Sequence, residues 1–219
     1  GSKRDATIAF HPDDLELAEY IEADGFVVTD RSGFYEWGIT KGLNKLLREN
    51  GQKNNKHIPD AYLRASTGQR LALLRGLMDS DGSITKRGQC EFGGIDLALV
   101  SGTRELAMTL GFKTGLMAHR DDPRGQRFYR FRFSLHEGAH NPFRLRRKAD
   151  RYVNTSSTHI RAVRSVNTCG IARVRCIQVA HESGTFLCGE DFVVTHNSGI
   201  LSCCPKEERP YYKKHERKL

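Results

Sequence analysis

The spacing of apolar residues divides the chain into a first part, where helices alternate with strands, and a second part, where strands alone are predicted. Helices of the first part end at Asn-Gly or Gly-Phe pairs, which are typical stop signals. This order of elements predicts the α+β class. Helices are predicted at 13–23, 41–49, from 68 and at 97–110, and strands at 26–29, 34–39, 83–86, 90–93 and 127–133.

Two segments of the first part resemble each other. LELAEYIEADGF at 15–26 and TRELAMTLGF at 103–112 both end in Gly-Phe and lead into a strand, which indicates a weak internal repeat. The second copy is preceded by a helix and a hairpin, whereas the first copy is not. The chain also opens with Gly-Ser instead of Met, so we expect that an N-terminal piece is missing.

The second part begins after a polar junction at 154–169. Strand-like runs follow at 171–180, 185–188 and 192–195, and residues 198–219 form a basic tail that contains PKEERP and KKHERK. These runs lack a helical period, so an all-β segment is predicted.

Composition excludes several classes of protein. No apolar run approaches the roughly 18 residues of a membrane span, and no secretory leader is recognisable. The six cysteines have no CxxC spacing, which argues against a zinc ribbon or a disulfide framework. A reducing, cytoplasmic location and no membrane partner are therefore expected.

The charge of the chain indicates a polyanionic partner. The net charge is +9, and residues 120–151 contain nine arginines and one lysine against four acidic residues. A solvated basic surface is the alternative interpretation. In RFYRFRF, period-two alternation places Arg127, Tyr129 and Phe131 on one face and Phe128, Arg130 and Arg132 on the other. The DNA-contact candidates are Arg120, Arg124, Arg127, Tyr129, Arg130 and Arg132.

One predicted helix carries an unusual glycine. In LLRGLMDSDG at 73–82, Gly76 lies mid-helix, where it costs about 1 kcal/mol relative to Ala. The cost is understandable if a second helix approaches closely, which would bring Asp81 to its counterpart across a pseudo-two-fold axis. A core helix that ends in an Asp-Gly turn is the alternative.

This segment resembles the motif of the LAGLIDADG homing endonucleases. Two further blocks are similar to the family's, KHIP at 56–59 and FRLRRK at 143–148. The resemblance implies an αββαββα-type fold, here with its N-terminal part incomplete, and two packed motif helices. It also implies that Asp81 binds Mg²⁺ at the scissile phosphate and that Lys56 and Lys148 help to polarise the attacking water. The motif is matched at Leu74, Gly76, Leu77, Asp79, Asp81 and Gly82.

Only one such motif helix is recognisable in the sequence. LAEYIEADG at 17–25 imitates the motif but lacks its Gly-Leu core, and it falls where the later repeat has TRELAMTLG. We interpret it as an ordinary packing helix. The first motif helix is expected from an N-terminal segment, in cis or as a separate chain.

The segment VVTHNS at 193–198 contains groups that can break a peptide bond. The side-chain nitrogen of Asn197 can attack its own main-chain carbonyl, which forms succinimide and cleaves the bond to Ser198. His196 can transfer the proton, and the Ser198 hydroxyl is a nucleophile for an acyl shift. His-Asn-Ser is also a common loop tripeptide. Downstream of the blocks above, however, a strand pair followed by Thr-His-Asn-Ser resembles the C-terminal splicing region of inteins.

The resemblance extends to class 3 inteins, which use an internal cysteine as the first nucleophile. Cys176 stands where most inteins have Asp, and Thr195 precedes His196. The Trp of this class is not matched, because Trp37 lies in the endonuclease region. A buried structural role for Cys176 is the alternative. The implied splicing residues are Cys176, Thr195, His196, Asn197 and Ser198, and splicing needs no cofactor.

The sequence therefore predicts three parts: an endonuclease domain at 3–153, the C-terminal part of an all-β Hint-type splicing domain at 154–197, and a C-extein or host remnant at 198–219. The expected function combines protein splicing with Mg²⁺-dependent double-strand cleavage of DNA at the intein insertion site. The alternatives are a DNA-binding regulator that does not cut and a splicing-only fragment of a split intein.

Overall fold

The computed structural model describes residues 7–30, 36–39, 42–134, 140–151, 163, 165–168, 170, 171, 173, 177 and 179–196. The chain divides into two compact units, residues 1–161 and residues 162–219. The first unit mixes helices with antiparallel sheets, and the described part of the second contains one strand pair.

The N-terminal elements of the first unit form a small antiparallel sheet beside a helix. Strand β1 (Thr7–Ala9) is followed by a 3₁₀ helix at Pro12–Asp14, helix α1 (Glu16–Ala23), and strands β2 (Val28–Asp30) and β3 (Glu36–Ile39). The strand order is β1-β3-β2. These positions agree with the predicted pattern, although β2 begins two residues later than expected.

Three helices follow before the second sheet. They are α2 (Leu43–Glu49), the single turn α3 (Asp60–Leu63) and α4 (Thr67–Ser80). Helix α4 begins at a capping box, in which the Ser66 side chain accepts from the Gln69 backbone N–H and the Gln69 side chain accepts from the Ser66 backbone N–H. This pairing satisfies two of the backbone donors that every helix start leaves open.

The second sheet is antiparallel and carries most of the core. Its strands follow the order β4-β5-β8-β6, and β7 also pairs with β8. Helix α5 lies between β5 and β6 in the chain, and α6 comes after β8. The bounds are β4 (Gly82–Ile84), β5 (Gln89–Gly94), α5 (Leu97–Thr109), β6 (Lys113–Thr114), β7 (Ala118–Asp121), β8 (Arg127–Ser134) and α6 (Arg146–Ala149).

The core fills the space between one face of this sheet and helices α4 and α5. The helices contribute Leu74, Met78, Val100 and Leu106, all fully buried. The sheet contributes Cys90, Phe92, Phe131 and Phe133, which alternate with polar residues along their strands. Burial raises the pKa of Cys90 to about 12, so this thiol is a packing residue.

The second unit differs from the sequence prediction in part. Strands β9 (Thr185–Cys188) and β10 (Val193–His196) form an antiparallel pair, as expected. The predicted strand at 171–180 is wrong for the residues that can be judged, since 171, 173, 177, 179 and 180 are not in a strand. The absence of a helical period does not by itself make a strand, because a strand also needs a partner for its backbone hydrogen bonds. In the described ranges, no helix is both long and apolar enough to cross a membrane.

Candidate functional site at the end of helix α4

Asp81 caps the C-terminal end of α4, directly before β4 begins. Its backbone N–H donates to the Leu77 carbonyl at 3.0 Å, and its side chain is exposed. The next residue must be glycine, because a Cβ on Gly82 would lie 2.6–2.7 Å from atoms of Met78. The helix therefore ends in a tight turn that presents the Asp81 carboxylate at the start of the sheet.

The other aspartate of the motif, Asp79, is buried and anchors a distant segment. Its carboxylate accepts backbone N–H groups of Arg144 at 3.1 Å and of Leu145 at 3.2 Å. Burial raises the pKa of this carboxyl, while the two backbone donors act in the opposite direction. Asp79 thus ties the end of α4 to the segment that leads into α6.

Lys148 of α6 contacts the end of α4 from the opposite segment. It is also buried, with 6% of its surface exposed. Its Nζ donates to the carbonyls of Met78 at 2.8 Å, Asp79 at 2.6 Å and Gly82 at 2.8 Å. Burial lowers the pKa of Lys148, and the negative charges of Asp79 and Asp81 partly oppose that effect. Since an ammonium has three hydrogens, these carbonyls occupy all of its donors. The catalytic role inferred for Lys148 from resemblance remains a prediction beside this structural one.

The basic block that ends in Lys148 is also held by the N-terminal elements. Arg147 forms an ion pair with the buried Asp14, and this pair lowers the pKa of the carboxyl. The Arg146 backbone N–H donates to Glu16 at 2.7 Å. The Arg144 guanidinium lies 5.6 Å from the centre of the Tyr20 ring. Sequence alone did not indicate that these charges are used inside the unit.

Lys56 lies in the segment between α2 and α3. Its side chain is exposed, two residues before the buried Ile58, which packs against Gly102 of α5. Among the described residues, no hydrogen bond or ion pair joins Lys56 to Asp81. Direct hydrogen bonds therefore hold Lys148 at the helix end, whereas the role of Lys56 stays a prediction.

One face of α4 is open. Ala72, Gly76 and Ser80 recur at four-residue intervals along this face and are exposed, and a Cβ on Gly76 would meet no atom within 4 Å. Together with side chains of α1, including Tyr20, they line a groove of about 340 Å³. The close helix approach predicted at Gly76 is not made by any residue in the described ranges.

Strand register sorts the six predicted DNA contacts by face. In β8, Phe131 and Phe133 point into the core, so Arg130 and Arg132 lie on the opposite, open face. Arg120 pairs with Phe128 across β7 and β8 and shares that face. Tyr129 and Arg127 lie an even number of residues from Phe131 and therefore share the face of the strand that carries the core residues, in agreement with the predicted alternation. Arg124 lies in the turn between β7 and β8.

Several of these arginines already have carboxylate partners. Arg127 donates to Asp121 at 2.8 Å. Glu91 of β5 accepts from Arg132 at 2.5 Å and lies 3.6 Å from Arg130. Carboxylates of the same chain therefore neutralise part of the positive charge of these arginines. Glu91 was not singled out by the sequence analysis, although its position between the buried Cys90 and Phe92 places it on the open face.

The protein ligands at the end of α4 are sufficient for Mg²⁺ only if substrate phosphates and water complete the coordination. Within the described ranges, no group of three or more His, Cys, Asp or Glu residues could hold a metal ion. Mg²⁺, however, is usually bound by one or two carboxylates together with substrate phosphates and water. A single exposed carboxylate, Asp81, fits that pattern.

The second unit places two of the predicted splicing residues on one strand. Thr195 and His196 close β10, where His196 pairs with Thr185 of β9. A hydrogen-bond chain runs from His181 Nδ1 to Ser183 Oγ at 2.8 Å and on to Thr185 Oγ1 at 2.6 Å. His181, Ser183 and His196 line one cavity of about 280 Å³. Cys176, Asn197 and Ser198 lie outside the described residues.

Comparison with known proteins gives two matches. The family described as LAGLIDADG-like domain matches residues 68–163, so such a domain is present there. The replicative DNA helicase DnaB of Mycobacterium intracellulare is 33% identical over 166 residues, which cover 72% of this chain and 28% of the helicase. The chain thus spans less than a third of that relative's length.

Proposed function

We propose that this chain, which contains a LAGLIDADG-like domain, is the C-terminal portion of an intein that combines protein splicing with DNA cleavage. The similarity to a replicative DNA helicase, which spans 72% of this chain and 28% of the helicase, supports such a helicase as the host. The observation that carries the proposal is the motif helix α4. It ends at an exposed carboxylate, Asp81, beside a sheet whose open face carries Arg120, Arg130 and Arg132.

Double-stranded DNA is the proposed substrate of the first unit. The sheet face offers guanidinium groups to phosphates and base edges, and Asp81 lies where the sheet begins. A divalent metal bound there would act as a Lewis acid on the scissile phosphate. The residues of this chain supply its carboxylate ligand, through Asp81, and fix the helix end through Asp79 and Lys148. Lys56 is proposed to act on the attacking water together with the N-terminal segment.

The exposed face of α4 at Gly76 supports an N-terminal segment as partner, either in the same chain or as a separate chain. A helix needs small residues to allow a close approach of its neighbour, and Ala72, Gly76 and Ser80 provide such a stripe. We propose that the first motif helix, carried by the N-terminal intein segment, packs here and supplies the second metal-binding aspartate.

Protein splicing is the proposed activity of the second unit. The Cys176 thiolate attacks the carbonyl carbon of the peptide bond at the N-terminal junction. The C–N bond breaks, and the nitrogen takes up the proton that the thiol gave up and leaves as an amine, so that a thioester remains on Cys176. The Ser198 hydroxyl then takes the acyl group from Cys176, and Asn197 cyclises, which cleaves its bond to Ser198. His196, the last residue of β10 and the residue before Asn197 in the chain, donates the proton to the leaving amine. An O-to-N acyl shift at Ser198 completes the new peptide bond.

DNA cleavage tests the nuclease part of the proposal. The chain, combined with the N-terminal segment, should cut a duplex that contains the uninterrupted helicase gene only when Mg²⁺ is added. Asp81→Asn should abolish cutting and retain DNA binding, because a metal ligand is lost and no contact surface changes. Asp60→Asn, an exposed carboxylate on α3, is the matched control and should cut normally. Binding by the wild type without any cutting would favour a non-cutting regulator instead.

Mass spectrometry tests the splicing part. The chain alone should slowly release a peptide of residues 198–219, because Asn cyclisation needs only groups present in this chain. Asn197→Ala should retain the intact mass. Release of the same peptide from the Asn197→Ala variant would exclude cyclisation as the cause.

A further inference from the structure

The open face of the five-stranded sheet holds a carboxylate between two arginines. Glu91 of β5 stands directly opposite Arg132 of β8, and Arg130 follows two residues along the same strand. Arg132 Nε donates to Glu91 Oε2 at 2.5 Å, and Arg130 lies 3.6 Å from Oε1. Each oxygen of the carboxylate therefore faces one guanidinium.

This arrangement is not required by the core. The chain neighbours of Glu91, Cys90 and Phe92, point to the buried side, so Glu91 itself lies on the solvent face with its side chain 27% exposed. The arginine side chains are 40% and 53% exposed. An ion pair at such exposure contributes little to stability. Its position in a sheet face proposed to bind DNA indicates another role.

A surface that bound DNA by charge alone would gain from a neutral residue at position 91. A carboxylate repels phosphates and competes with them for both arginines, which lowers the sequence-independent part of binding. Base edges, in contrast, are best contacted by an arginine whose orientation is fixed. Glu91 uses the Nε of Arg132, and this leaves both terminal nitrogens of that guanidinium for a bidentate contact.

We propose that Glu91 is a specificity-determining residue of the DNA face, which holds Arg130 and Arg132 away from phosphates and directs them to base edges in the major groove. This inference rests on the proposed DNA function. Guanine is the base that the chemistry selects for Arg132, because its O6 and N7 accept from the two terminal nitrogens. The remaining lone pairs of Glu91 can accept from a neighbouring cytosine amino group.

The Glu91→Gln variant tests this role, because it removes the charge and keeps the size. The full chain is used in metal-free buffer, first to select duplexes from a pool of random sequence and then to measure binding to the unselected pool at several salt concentrations. Wild type should enrich a motif with guanine positions. The variant should bind the unselected pool more tightly, with a salt slope steeper by up to about 2, because two arginines become free for phosphates. Discrimination at one or two guanine positions should fall by at least about fivefold.

Two further variants separate this role from a general effect of charge. Asp121→Asn removes the carboxylate paired with Arg127. Because Arg127 is on the other side of the strand alternation from Arg130 and Arg132, this variant should leave the selected motif unchanged. Arg132→Lys keeps the charge but removes the planar fork, so it should lose the guanine position without a steeper salt slope. Thermal unfolding of each variant shows that the fold is retained.

The outcomes distinguish this inference from the proposed function. If Glu91→Gln selects the wild-type motif with the wild-type salt slope, Glu91 does not determine specificity, and DNA recognition itself stands. If Asp121→Asn changes the motif as Glu91→Gln does, the effect is general and the assignment to Glu91 is wrong. If wild type selects no motif at all, the proposed sequence-specific DNA binding is contradicted.

Discussion

Replacing Lys148 by methionine measures how much the hydrogen bonds of its ammonium group contribute to stability at the end of α4. Methionine keeps an unbranched apolar stem and removes the three donors that reach the carbonyls of Met78, Asp79 and Gly82. A buried acceptor left without a donor costs about 1–3 kcal/mol, and relief from burying the ammonium offsets part of the total. We therefore expect the free energy of unfolding to fall by about 3–5 kcal/mol, because three carbonyl acceptors lose their donor and the lost ammonium offsets part of that cost.

Urea denaturation of the full chain, followed by far-UV circular dichroism, measures this loss. Arg146→Met is the matched control, because Arg146 is exposed and it is its backbone N–H, not its side chain, that contacts Glu16. The control should change stability by no more than about 0.5 kcal/mol. If Lys148→Met is within about 1 kcal/mol of wild type, the carbonyl contacts do not hold the helix end. Normal stability combined with lost DNA cleavage would then favour the catalytic role.

Three further changes test other parts of the molecule. Asp14→Asn should flatten the pH dependence of stability at low pH, because the ion pair lowers the folded pKa of Asp14 below its ordinary 3.8. Its stabilisation is present above that value and is lost as the pH falls through the lower folded pKa. Urea titrations between about pH 3 and 6 check this, and a constant difference between variant and wild type would contradict it. Cys176→Ala should stop ligation when an N-terminal fragment is added, as read by mass spectrometry; splicing at the full rate would place the first nucleophile elsewhere. Neutralising Arg132 should lower the discrimination between the selected motif and the unselected pool, whereas neutralising Arg127 should not, and an equal loss of discrimination in binding titrations would contradict the assignment of faces.

The elements that sequence predicted well are those specified by neighbouring residues. Helix α5 was expected at 97–110 and is found at Leu97–Thr109, because Asp96 caps its start and Gly111, at a φ of +86°, terminates it. Both signals act within one helical turn. The alternation in β8 was equally local, and the register assigns its two faces as expected.

The contacts that build the site could not be predicted in this way. Lys148 approaches the end of α4 across about seventy positions, and nothing near either segment specifies that meeting. Resemblance alone suggested a catalytic role for Lys148, which stays a prediction, and the structure adds that Lys148 contacts three carbonyls and Arg147 a buried carboxylate. Likewise, the strand expected at 171–180, where the sequence lacks a helical period, is not a strand at the residues described.

Sequence by itself determined the motif helix, the Asp81-Gly82 turn and the arginine-rich strand, because each depends on side chains and backbone groups close together in the chain. Tertiary structure decided how the charges are used. It paired Glu91 with Arg132, gave Asp79 the backbone donors of the segment before α6, and surrounded the Lys148 ammonium with three carbonyls. These pairings depend on which segments the core brings together, since burial leaves a polar group only the partners that packing places beside it.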